Sequence, residues 1–132
     1  MGVQRFDFAI DPRYEQVLRL FGVGPGRAWV GIDERSLRVR FGFWRFSTPV
    51  ANIERTCVTG PYTWALKAIG PRVSLADRGL SFGTNTERGV CVLLREPVPS
   101  RATLGAIKHP GVTVTVGDVD GLVAAIDRLR AA

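Results

Sequence analysis

The chain has 132 residues, of which 45% are apolar, 23% charged and 9% aromatic, the make-up of one compact domain able to bury roughly two-thirds of its unfolded surface. Fifteen Gly and eight Pro predict many turns between short elements, yet fall short of a disordered or collagen-like composition. The formal charge is +6, no run of 18 apolar residues exists, and Asp7 interrupts the N-terminus before any signal-like stretch, so a cytoplasmic protein is expected.

Gln4 to Ile10 alternates Phe6, Phe8 and Ile10 with Arg5, Asp7 and Ala9, a period of two that predicts a strand with one buried face. Asp11 reads as an N-cap with Pro12 in the first helical position. Tyr14, Val17, Leu18 and Phe21 then recur at helical spacing, predicting a short helix over 12–21 that the Gly-rich stretch 22–26 ends. From Ala28 the pattern changes to hairpins. Trp29, Val30 and Ile32 form one strand, Asp33 to Ser36 a turn, and Leu37, Val39 and Phe41 the return strand, alternating with Arg38 and Arg40. Gly42 permits a bend, Trp44, Phe46 and Thr48 continue the alternation, and Pro49 to Asn52 turns the chain into a strand over Ile53 to Thr59.

The stretch Gly60 to Pro71, rich in turn formers and aromatics, interrupts this meander. It resumes as three strands in succession, Arg72 to Ala76, Leu80 to Gly83 and Val90 to Arg95. Glu96 to Gly111 carries Pro97, Pro99, Gly105 and Pro110 and predicts a long loop. Val112 to Val116 is a final strand. Asp118 then caps an amphipathic helix whose stripe is Leu122, Ala125, Ile126 and Leu129, with Asp120 near its start and Arg128 and Arg130 near its end complementing the helix dipole.

Short antiparallel strands closed by one amphipathic helix make a mainly β, α+β fold, a curved antiparallel sheet or small barrel plugged by Leu122, Ile126 and Leu129. One domain over 1–132 is expected: a strand–helix extension over 1–26, the meander over 28–95, and the last strand and helix over 112–130. The segment Ala28 to Thr59, with its turn Asp33-Glu34-Arg35, strand Leu37 to Gly42, strand Trp44 to Pro49 and the following Ile53-Glu54-Arg55, resembles the opening hairpins of bacterial pleckstrin-homology-like (PH-like) domains. Val112 to Arg130 resembles their ending. Ile69 to Gly79 followed by Phe82 to Val90 is similar to a stretch of uncharacterised actinobacterial proteins. The resemblance implies a PH-like barrel with a C-terminal helix and a short N-terminal helix. It also implies a non-enzymatic interaction or scaffold module that engages a protein partner or a second copy of itself as a homodimer.

Catalytic motifs are missing from the sequence. It contains neither GxxxxGK[ST] nor GxSxG, and Gly22 to Arg27 has Arg where a dinucleotide turn needs its third Gly, with a strand rather than a helix following. His109 is the sole histidine, which excludes a zinc site built on several His. Cys57 and Cys91 sit inside apolar segments and read as buried thiols, with a disulfide open to them only if their strands are neighbours. No catalytic residue, metal or cofactor is expected.

Sixteen of the eighteen bases are Arg, and they are spread along the chain, which predicts no sequence-specific nucleic-acid reader. The candidate binding site joins Tyr62, Trp64 and Lys67 of the aromatic loop to Arg72, Arg78, Asn85 and Arg88 near strand ends, a mouth for a small anionic ligand or lipid headgroup. Arg38, Arg40 and Arg45 form a second possibility, a basic outer sheet face. Membrane contact is not expected, because the PH-like relatives that bind phosphoinositides use a basic first hairpin loop and the turn here, Asp33-Glu34-Arg35, is net acidic.

Overall fold

The computed structural model describes residues 2–62, 69–73, 79–99 and 108–131. Its elements are β1 (Gln4–Asp7), α1 (Glu15–Arg19), β2 (Ala28–Ile32), β3 (Ser36–Phe41), β4 (Trp44–Pro49), β5 (Ile53–Thr59), β6 (Gly70–Val73), β7 (Leu80–Gly83), β8 (Gly89–Pro99), β9 (Lys108–Val114) and α2 (Val119–Ala131). A 3-10 turn over Pro12–Tyr14 leads into α1, with the Asp11 carboxylate accepting the backbone N–H of Arg13. Among the described residues, no helix is long and apolar enough to cross a membrane.

The strands form two sheets. The first is antiparallel in the order β1-β2-β3-β4, and the second is mixed in the order β5-β8-β9-β7-β6. Among the described residues the sheets do not join into a closed barrel; an isolated bridge between Phe8 and Val116 links them. Alternation sends Val30, Ile32, Leu37, Val39 and Phe41 inward from the first sheet, where they meet Leu80, Phe82, Val90, Val92, Val112 and Val114 of the second. Phe41 stacks on Phe82 at 4.9 Å between ring centroids and tilts against Phe8 at 5.3 Å. The helix stripe expected from sequence is in place: Leu122 and Ile126 are fully buried and Leu129 half-buried, with α2 packed against β5, β8 and the 3-10 turn Val50–Asn52. Asp118 caps α2 by accepting the N–H of Gly121 at 3.0 Å.

Three expectations need correction. The second sheet is neither a meander nor wholly antiparallel, because β9 inserts between β8 and β7 and runs parallel to β7, pairing Ser81 with Thr113. Parallel neighbours need a long crossover, and the whole of β8 supplies it. The long loop over 96–111 is shorter than expected, since β8 continues to Pro99 and β9 begins at Lys108, with Val98 opposite His109. Prolines sit there because the register shifts between Leu93 and Val98, and prolines are tolerated at bulges and strand ends. Asn52 satisfies the peptide at that irregularity, accepting from Glu96 N and donating to Glu96 O, both at 3.0 Å. The resumed strand after the aromatic loop spans Gly70–Val73 rather than 72–76, and residues 74–76 lie outside the described residues.

Cys57 and Cys91 are directly opposite each other on β5 and β8, both half-buried and both thiols. Opposed residues in an antiparallel pair have Cα atoms about 4.5–5.5 Å apart, within the span a disulfide accepts. Mild oxidation with diamide is therefore expected to consume both thiols within one chain, lowering the mass by two hydrogens without making a dimer. Unreacted thiols or a disulfide-linked dimer would contradict this register.

Candidate functional site

The described residues among those predicted as a site take separate roles in the fold. Tyr62 donates its backbone N–H to Thr86 O at 2.7 Å, its hydroxyl bonds Thr59 Oγ1, and its ring lines a cavity of about 140 Å³ with Thr59, Ser81, Thr113 and Thr115. Asn85 is buried and structural: Nδ2 donates to Ala9 O at 2.8 Å, while Oδ1 accepts the N–H of Glu87 at 3.0 Å. Thr84 beside it donates to Ala9 O and receives support from Thr115, so the 84–85 pair ties the N-terminal segment to the second sheet. Arg88 reaches Asp120 at the start of α2, in an exposed ion pair of 3.2 Å. Arg72 is exposed on β6, and β7 and β9 separate its strand from β8, which follows Arg88. Three strand spacings amount to about 14 Å, which sets the backbones of Arg72 and Arg88 well apart. Trp64, Lys67 and Arg78 lie outside the described residues. His109 is fully buried within β9, and no group of three or more His, Cys, Asp or Glu gathers among the described residues.

A denser constellation stands on the outer face of the first sheet. Because Leu37, Val39 and Phe41 point inward, Arg38 and Arg40 point outward. Strand register then builds two rows across the sheet. One is Asp7, Trp29, Arg40 and Arg45; the next is Arg5, Gly31, Arg38 and Ser47. Glycine at 31 lets the Trp29 ring lie across the backbone, since a Cβ there would stand 3.2 Å from Trp29 Cζ3. The Arg5 guanidinium covers the same ring at 5.5 Å from its centroid, a cation–π contact.

Charge on this face is unbalanced. Its acids are engaged: Asp7 holds Arg5 at 2.9 Å, and Asp33 reaches Arg38 at 3.4 Å. Backbone N–H groups of Ser36 and then Arg35 bond the Asp33 carboxyl and hold it below the usual carboxylate range, so it stays ionised. Arg40 and Arg45 form no ion pair among the described residues, although the register sets them directly opposite each other. Like charges in that relation are destabilising. Arg45 spends one nitrogen on the carbonyls of Gly42 and Trp44, at 3.0 and 3.2 Å. Arg40 Nε is buried with no hydrogen-bond partner among the described residues, a rare state that calls for an acceptor. A groove of about 470 Å³ opens beside Arg45, lined also by Trp29, Arg38, Val39, Phe46, Ser47 and Pro99.

The sequence marks Arg38, Arg40 and Arg45 as a basic face, whereas Trp29 and Arg5 enter it only through strand register. The signal for Trp29 is that Ala28, Val30 and Ile32 are the apolar side chains its strand sends into the core, which turns Trp29 and Gly31 to the other face. Comparison with protein-family models, with curated proteins and with solved structures returns no match.

Proposed function

We propose that this chain is a non-enzymatic binding module of PH-like type that takes an anionic partner on the outer face of its first sheet. The observation that carries this reading is the opposed Arg40 and Arg45 beside Trp29, with no counter-ion and no acceptor for Arg40 Nε among the described residues. A bound anion would relieve the repulsion and complete the hydrogen bonding, since guanidinium groups match the oxygens of phosphate and carboxylate bidentately. The antiparallel four-stranded sheet and the C-terminal helix support the PH-like assignment.

Calorimetric titration with inorganic tripolyphosphate tests the site. Binding is expected to weaken as salt rises and to fall about tenfold or more in Arg40→Glu, while Arg72→Glu leaves it within about twofold. Loss of binding in Arg72→Glu with retention in Arg40→Glu would return the site to the second sheet, where the cavity beside Tyr62 offers a place for a small ligand. Absence of binding at low salt would end the reading.

A further inference from the structure

Resting on that reading, we infer that the anion is the backbone of a single-stranded nucleic acid, bound without regard to sequence and with a base stacked at Trp29. Among the described residues, arginines and an aromatic ring share one sheet surface, which is the combination that holds unpaired strands: guanidinium groups follow the phosphates and the ring takes a base face. A lone phosphate does not need the indole, and an acidic peptide has no planar ring to lay on it. The groove is about 470 Å³, larger than a single phosphate fills and suited to a chain running along β3. Alternate residues of one strand are about 6.8 Å apart, so Arg38 and Arg40 on β3 are spaced like successive phosphates of an extended strand. Net charge of +6 adds long-range attraction to a polyanion.

Sequence independence follows from the inventory. Apart from the guanidinium groups and the engaged Asp7, the Trp29 indole N–H and Ser47 are the hydrogen-bonding side-chain groups in the two rows, too little to distinguish bases by their edges. Arg5 already lies over the Trp29 ring, and a stacked base displaces it.

Fluorescence anisotropy of a short labelled oligothymidylate measures the interaction, with competition by an abasic strand of equal length, tripolyphosphate, polyglutamate and phosphatidylserine vesicles. The oligothymidylate is expected to bind with a steep salt dependence, and the abasic strand to compete about tenfold more weakly. Trp29→Ala is expected to weaken the oligothymidylate about tenfold while leaving tripolyphosphate unchanged. Trp29→Phe keeps a ring and is expected to stay within about threefold, which preserves the test if the alanine variant fails to fold. Arg40→Glu should weaken both ligands. Equal competition by the abasic strand, or an unchanged Trp29→Ala, overturns base stacking while the anionic face stands. Stronger binding of polyglutamate or of vesicles overturns the nucleic-acid inference in favour of that partner. Failure of every polyanion overturns this inference and the anionic face together.

Discussion

Replacing Phe82 by Ala is expected to lower the unfolding free energy by about 3–5 kcal/mol, the range for removing a large buried aromatic. Phe82 is fully buried on β7 and stacks on Phe41 of β3, which in turn meets Phe8. This column of rings is where the two sheets meet. Losing one ring leaves a cavity that a sheet–sheet interface closes only by shifting backbone. For a domain of marginal stability, typically about 5–15 kcal/mol, the variant should unfold at far lower urea concentration. Phe43→Ala is the control, because that ring is 74% exposed and its removal is expected to change stability by about 0.5 kcal/mol or less. Equal effects of the two substitutions would mean that the sheets do not share this core.

Gly42→Ala is expected to cost at least about 2 kcal/mol, although it adds one methyl group. Gly42 has φ +58°, a left-handed conformation that penalises a side chain by about 1–2 kcal/mol. A Cβ there would stand 2.1 Å from the Phe21 carbonyl oxygen and 2.8 Å from Gly22 C, so backbone must move. The close approach is built by hydrogen bonds from Gly42 N to Arg27 O and from Phe43 N to Phe21 O. Since Gly42 turns β3 into β4 and its carbonyl accepts from Arg45, the substitution should also disturb anion binding. Thermal unfolding and the tripolyphosphate titration read the two effects together. A variant as stable as the parent would show that the β3–β4 hairpin does not pack on the chain after α1.

Local pattern in the sequence carries the hairpins of the first sheet, because their partners are adjacent in the chain and short turns fix register. Val30 and Ile32 alternating with Trp29 and Gly31, and Leu37, Val39 and Phe41 with Arg38 and Arg40, give the buried face directly. The helix α2 is equally legible, since Asp118 caps it and its apolar stripe recurs at helical spacing. Order in the second sheet is not. Alternation in Val112 to Val114 tells which side is buried but not that β9 lies between β7 and β8. Pro97, Pro99 and Pro110 read as loop because each lacks a donor, yet β8 shifts register around Pro97 and Asn52 satisfies both backbone groups of Glu96 there.

The candidate site divides in the same way. Asn85 and Arg88 look like binding residues because polar groups near strand ends often are, and their long-range partners Ala9 and Asp120 cannot be read from the sequence. Arg40 facing Arg45 follows from the turn at Gly42. Arg5 over Trp29 depends on β1 pairing with β2 across the intervening α1, a pairing no local signal announces.

Nuclear magnetic resonance titration of the labelled protein with oligothymidylate, following the arginine Nε–H and tryptophan indole signals, tests most directly where the anionic partner sits. The expected result is movement of Trp29, Arg40 and Arg45 while Arg72 and Arg88 hold still. Movement of Arg72 with the Trp29 and Arg40 signals unchanged would contradict the assignment of function to the first sheet.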